Sequence, residues 1–170
     1  RTGEFTLDAW ETEREIRGQL TKETVRFIGP DGQEYRTPIP DLLFTLKRNE
    51  KRAVYWLEVD RATESIALSA FERQSIEAKI REYLAYEHGD HFRTQYGSRP
   101  LRVLFVTIGA RRLHNMKTAA ERVIHQMIDG HSGLTEAEKH AECVRLGKRF
   151  RFITTAEVQP ETLLTEPVWQ

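Results

Sequence analysis

The amino-acid sequence predicts an α/β fold, with a mixed central β-sheet flanked by helices. Three observations carry that expectation. Two apolar runs, residues 42–46 and 53–59, are separated by a polar turn and read as an antiparallel pair. A third run, residues 101–108 (LRVLFVTI), is introduced by Pro100 and closed by Gly109. From residue 75 onward, helix, strand, helix and strand patterns alternate, which suits crossover helices packed on a sheet.

The elements follow in order. Residues 5–10 alternate, with Phe5, Leu7 and Ala9 on one side and Thr6, Asp8 and Trp10 on the other, as in a strand. Residues 11–18 are heavily charged and read as strand or short helix. Residues 25–28 are a short strand, followed by the turn signal Pro30-Asp31-Gly32. Residues 35–38 lead into Ile39-Pro40-Asp41 and the strand 42–46. Residues 47–51 form a hairpin loop containing Asn49. The next strand, 53–59, is apolar on both faces, which predicts a central position covered on both sides.

The period then changes. Ile76, Ile80, Tyr83 and Leu84 are spaced for a helix over 75–87, ended by Gly89-Asp90. The apolar continuity of 101–108 predicts an interior, parallel strand. Leu113, Met116, Ala120, Val123, Ile124 and Met127 form the stripe of a helix over 110–128, stopped by Gly130. Residues 135–146 are a short helix, with Thr135 as cap and Glu138 at the capping-box position. A last strand covers 149–155, and Leu163, Leu164, Val168 and Trp169 tie down the tail. The expectation is one domain spanning 1–170, without repeats or low-complexity segments.

Composition narrows the function classes. The chain has 39% apolar and 31% charged residues, an ordinary balance for a folded domain. Lys plus Arg and Asp plus Glu both number 26, so a nucleic-acid partner would need a local basic patch rather than bulk charge. The lone Cys143 excludes a disulfide framework and suggests a reducing, cytoplasmic setting. No apolar run has the length of a membrane span. The chain begins at Arg1 rather than Met, so a fragment of a longer protein is expected. Glycine-rich phosphate loops and a nucleophile elbow are both missing, which leaves ATP hydrolysis and serine hydrolysis without support. The pairs His88/His91 and His140/Cys143 lack the companions of a zinc site.

The chemistry concentrates in carboxylates at strand ends. With the turn centred on Asn49-Glu50, hairpin arithmetic places Asp41 opposite Glu58. Glu58 and Asp60 are two apart and share a face of their strand. Acids at the end of an apolar strand need a cation, a proton or water. A divalent ion would meet that need; so would a wet strand end with Asp41 capping the turn after Pro40 and Arg61 beside Asp60. Arg111 and Arg112 follow Gly109 where a helix begins, the end at which α/β sheets place ligands. Phosphate there would offset cations that oppose the helix dipole. Arg61, Arg111, Arg112 and Lys117 are the candidate phosphate-contacting cations, with a solvated surface as the plainer alternative.

The order of elements, with Pro40-Asp41 and then Glu58 ending the next strand, resembles the PD-(D/E)XK, restriction-endonuclease-like nuclease superfamily. More narrowly, several segments resemble the replication-relaxation family of bacterial plasmid and mobile-element proteins. They are Pro40-Asp41-Leu42-Leu43-Phe44, Leu57-Glu58-Val59-Asp60-Arg61-Ala62-Thr63-Glu64, the helix carrying Lys79, Tyr83 and Leu84, the strand Val103-Leu104-Phe105-Val106-Thr107, and the closing Arg151–Thr155 and Pro167-Val168-Trp169. The resemblance spans Trp10 to Trp169 and is most specific over 58–64. It implies an association with DNA in plasmid replication or mobilisation and an upstream winged-helix domain. The implied partners are DNA, a second copy of the chain, or a replication or mobilisation protein. It implies Asp41 and Glu58 as ligands of Mg²⁺ or Mn²⁺, with Asp60 as a candidate third carboxylate of the catalytic site and the Val59 carbonyl and Glu13 as further oxygen donors. The superfamily expects a lysine at position 60, where this chain has Asp60; the candidate replacements are the adjacent Arg61, which alternation turns to the opposite face unless the strand has ended, and Lys79 on the next helix. With the lysine function restored the resemblance implies phosphodiester hydrolysis. Without it, the fold would serve as a DNA-binding, docking or dimerisation module.

Overall fold

The computed structural model describes residues 6–21, 24, 26–29, 31–61, 65–66, 75–88, 90–97, 100–130 and 133–159. A central sheet flanked by helices makes this a mixed α/β fold. Five strands form the sheet in the order β1 (Thr6–Thr12), β4 (Leu42–Arg48), β5 (Lys51–Asp60), β6 (Val103–Thr107), β7 (Phe150–Thr154), and a separate two-stranded sheet pairs β2 (Arg26–Ile28) with β3 (Glu34–Arg36). The chain also divides into two compact units, residues 1–59 with 82–104 and residues 60–81 with 105–170.

In the first unit, β1 (Thr6–Thr12) runs directly into α1 (Glu13–Gln19). Thr12 caps this helix through a complete capping box with Glu15, satisfying amides that the first turn leaves without partners. The charged stretch after β1 is therefore helix. β2 (Arg26–Ile28) and β3 (Glu34–Arg36) form a hairpin closed over Gly32, whose φ of +76° suits glycine. Phe27 in β2 is buried and stacks on Tyr35 at 5.7 Å.

β4 (Leu42–Arg48) and β5 (Lys51–Asp60) pair antiparallel from Leu42↔Leu57 to Arg48↔Lys51. The turn is the two residues Asn49-Glu50, with Asn49 at φ +53°, a conformation asparagine tolerates better than most side chains. β1 pairs with the other edge of β4, with a register shift between Leu7 and Ala9. β5 is central in the sheet order, but its two faces differ. Val54, Trp56 and Glu58 are buried, while Ala53, Tyr55 and Leu57 are half-buried and Val59 is 45% exposed. The expectation of two covered faces was too strong. Tyr55 is instead shielded by stacking on Phe44 at 5.3 Å and by the Arg102 guanidinium 5.4 Å above its ring.

α2 (Ile76–His88) matches the predicted helix. α3 (Asp90–Tyr96) was not anticipated; it places Phe92 and Tyr96 one turn apart, with ring centroids 5.1 Å from each other. Both rings also contact Trp56, which meets Tyr83 edge-on at 5.3 Å. This aromatic cluster is the core of the first unit.

In the second unit, α4 (Ala110–Asp129) buries Leu113, Met116, Ala119, Ala120, Val123, Ile124 and Ile128 on one stripe. α5 (Glu136–Gly147) begins at Thr135 with the anticipated capping box to Glu138 and packs on α4. β6 (Val103–Thr107) supplies Phe105 and β7 (Phe150–Thr154) supplies Phe150 and Phe152, and α4 also contacts β7. Phe105 stacks on Phe152 at 5.3 Å with the rings 10° apart. The tail from 160 onward and Glu64 lie outside the described residues.

Candidate functional site

The pairing Leu42↔Leu57 fixes the positions that follow: Asp41 and Glu58 face each other at the open end of the hairpin, as the sequence predicts. Their environments differ. Asp41 is exposed, and its Oδ2 accepts a hydrogen bond of 2.7 Å from the Val59 amide. Its carbonyl accepts from the Glu13 amide at 3.1 Å, which ties the start of α1 to the hairpin. Glu58 is 4% exposed, and its Oε1 accepts the hydroxyl proton of Tyr83, itself 1% exposed. A carboxylate buried this deeply is costly without such a donor.

The Tyr83 hydroxyl is pushed well above its ordinary pKa of 10.0, first by burial and then by the negative charge of Glu58, its hydrogen bond, and the charges of Asp41 and Glu82. A folded-state pKa above the unfolded one contributes stability that is fully present below pH 10 and is lost as pH rises beyond it. Burial also raises Tyr86 and Tyr96. Tyr83→Phe is therefore expected to cost about 1–3 kcal/mol at neutral pH by removing the donor from Glu58. It should also flatten the loss of stability above pH 10. Urea unfolding at neutral pH and at successive pH values above 10 measures both.

Glu13, the expected additional acid, is in the first turn of α1. Its Oε1 accepts from Arg17 at 2.6 Å in an (i, i+4) pair, with both side chains about half exposed.

In the second unit, Asp60 ends β5 as a buried acid. Arg112 grips it with a two-pronged fork, Nε to Oδ2 and Nη2 to Oδ1, each 2.9 Å. The Thr107 hydroxyl adds a third donor at 2.6 Å to Oδ2. The planar guanidinium matches carboxylate geometry, which a lysine could not reproduce. Arg112, expected at a phosphate-contacting surface, is thus committed to Asp60. Arg61 and Arg111 are exposed, and Lys117 is half-buried. Lys79, the candidate for the missing lysine, is half-buried in the first turn of α2.

The sequence brought Asp41 and Glu58 together correctly. It named Tyr83 without assigning it to Glu58, and it missed Thr107 and the pairing of Arg112 with Asp60. One signal for that pairing was present: an acid ending one apolar strand and an arginine just past the end of another each need a partner. Cys143 Sγ on α5 lies 3.4 Å from His125 Nδ1 on α4.

For a hard divalent ion, Asp41 and Glu58 offer the right atom type, but Asp41 Oδ2 and Glu58 Oε1 already accept protein hydrogen bonds. Among the described residues no group of three or more His, Cys, Asp or Glu side chains is arranged to hold a metal ion. No family model matches the chain, and neither a curated protein nor a solved structure matches it. No helix among the described residues is long and apolar enough to cross a membrane.

Proposed function

We propose that the chain is a DNA-associated, nuclease-like domain of the replication-relaxation type that holds phosphate without cleaving it. The observation carrying this reading is the state of position 60. Where the superfamily chemistry needs a mobile cation beside the scissile phosphate, this chain has an acid forked by Arg112 and donated to by Thr107. A buried, neutralised acid supplies neither an activated water nor positive charge to a transition state. Phosphate binding is supported by the start of α4. Gly109 provides no side-chain cap, the first turn contains no acid, and Arg111 is exposed beside it.

A second reading, metal-dependent hydrolysis with Mg²⁺ or Mn²⁺ at Asp41 and Glu58, is favoured by their register-opposed placement at one hairpin end. Fluorescence anisotropy on labelled single- and double-stranded DNA, with EDTA or Mn²⁺, separates the two, together with a plasmid-nicking assay. Binding in EDTA without nicking is expected. The Arg111→Ala/Lys117→Ala double variant should weaken binding similarly across sequences and lower the salt slope by about 2. Asp41→Asn/Glu58→Gln should leave binding unchanged. Mn²⁺-dependent nicking that disappears in Asp41→Asn/Glu58→Gln would establish the second reading, and failure to bind DNA in any condition would overturn both.

A further inference from the structure

In the first unit β1, β4 and β5 lie side by side and present two unlike faces. On one of them Leu43, Val54 and Trp56 are buried, and the pairing registers place the acids there. Glu11 pairs with Leu43 and Leu43 with Trp56, so Glu11 shares the Trp56 face, as does Glu58 two residues on. Asp8, at the register shift in β1, bonds Arg52 at 3.1 Å, and Arg52 alternates onto that same face. The opposite face carries Leu7 and Trp10, each 60% exposed, with Phe44, Tyr55 and Leu57 half-buried and Val59 exposed. Trp10 pairs with Phe44 and Phe44 with Tyr55, so three aromatic side chains form one row across three strands. Phe44 stacks on Tyr55, and the Arg102 guanidinium over the Tyr55 ring closes the row with a cation.

Arg48 and Lys51, paired at the hairpin tip, alternate onto the aromatic face as well. Among the described residues no strand position of β1, β4 or β5 on this face holds an acid; Glu50 lies in the turn. Exposed rings with cations around them and no carboxylate among them complement a polyanion that itself carries flat rings. We propose that this face binds a single strand of nucleic acid, its bases stacking on the aromatic row, Trp10 foremost, and its phosphates meeting Arg48, Lys51 and Arg102. A duplex keeps its base faces inside its own stack and cannot use the rings. A second copy of the chain is a poorer occupant, because a two-fold pairing of this face would set its cations against their like. The inference rests on residues of the first unit alone and holds whether or not Arg111 and Lys117 contact phosphate.

Tryptophan fluorescence tests it, because a base stacked on an exposed indole quenches its emission. The probes are short oligothymidylate and oligouridylate strands, with a mixed-sequence duplex and phosphatidylserine vesicles as comparisons. Saturable quenching by at least one single strand is expected. It should vanish in Trp10→Phe, while anisotropy of the labelled strand shows that the phenyl ring still supports binding. Trp10→Ala should weaken that binding about tenfold, the loss of one base-stacking surface. The exposure of Trp10 predicts a urea midpoint close to the wild type in both variants. Lys51→Ala should lower the salt slope by about 0.7, whereas Arg52→Ala, the same loss of charge on the opposite face, should leave it unchanged. Arg111→Ala/Lys117→Ala should keep the Trp10 quenching at saturation, so failure of that site and failure of this face are told apart. Absence of quenching at saturating strand, equal quenching by the duplex, or full affinity in Trp10→Ala would overturn the proposal. Quenching by the vesicles alone would overturn it in favour of a lipid surface. A dimer in sedimentation that Trp10→Ala returns to monomer would overturn it in favour of self-pairing.

Discussion

Arg112→Ala is expected to destabilise the fold by about 3–5 kcal/mol, read as a shift of the urea midpoint with an unchanged slope. The Asp60 side chain is 4% exposed and that of Arg112 is 17% exposed, so removing the guanidinium leaves a charge where water cannot replace both lost bonds. Thr107 still donates to Asp60, but one hydroxyl cannot neutralise a carboxylate. Adding Asp60→Asn to Arg112→Ala should recover much of the loss, because the stranded charge is gone. Arg112→Lys should fall between, keeping the charge but not the two-pronged geometry. If Arg112→Ala melts like the wild type, the fork does not hold the end of β5 as described.

Phe105→Ala should cost about 3–5 kcal/mol in the same assay, from lost burial and the cavity left behind. Its side chain is fully buried against Phe152 and lies 6.4 Å from Phe150. The loss should reach further than the core. Phe105 lies two residues before Thr107, whose hydroxyl serves Asp60 and whose carbonyl accepts from the Thr155 amide at 2.7 Å. Loosening β6 should therefore shrink the additional effect of Arg112→Ala in a double-mutant cycle. Full additivity would mean that core and fork are independent.

Much of the architecture was legible because its signals are local. The stripe of α4 and the Thr135–Glu138 box each lie within a few residues. The β4–β5 register also follows from a short turn whose centre the sequence marks. What escaped depends on distance along the chain. Asp60 finds Arg112 fifty-two residues later, and Glu58 finds Tyr83 twenty-five residues later. α3 escaped because its seven residues are too short for a clear apolar stripe. The outer face of β5 was misjudged because Ala53, Tyr55 and Leu57 read as interior residues, whereas stacking and a neighbouring arginine half-cover that face. Trp56 read simply as core, and the ring does lie there, 2% exposed.

The two compact units are not consecutive stretches of chain. Residues 1–59 need 82–104 to complete the first, while 60–81 wait for 105–170 to complete the second. A ribosome delivering this chain therefore cannot finish one body before starting the other. The early hairpin must persist until Tyr83 emerges to donate to Glu58, and Asp60 is synthesised long before its guanidinium. Folding should accordingly be slow for a chain of this size, since distant closures precede most of the gain. A fragment ending at residue 104 holds all of the first body but also carries 60–81, and one starting at residue 60 holds all of the second but also carries 82–104, so no single cut yields either body alone.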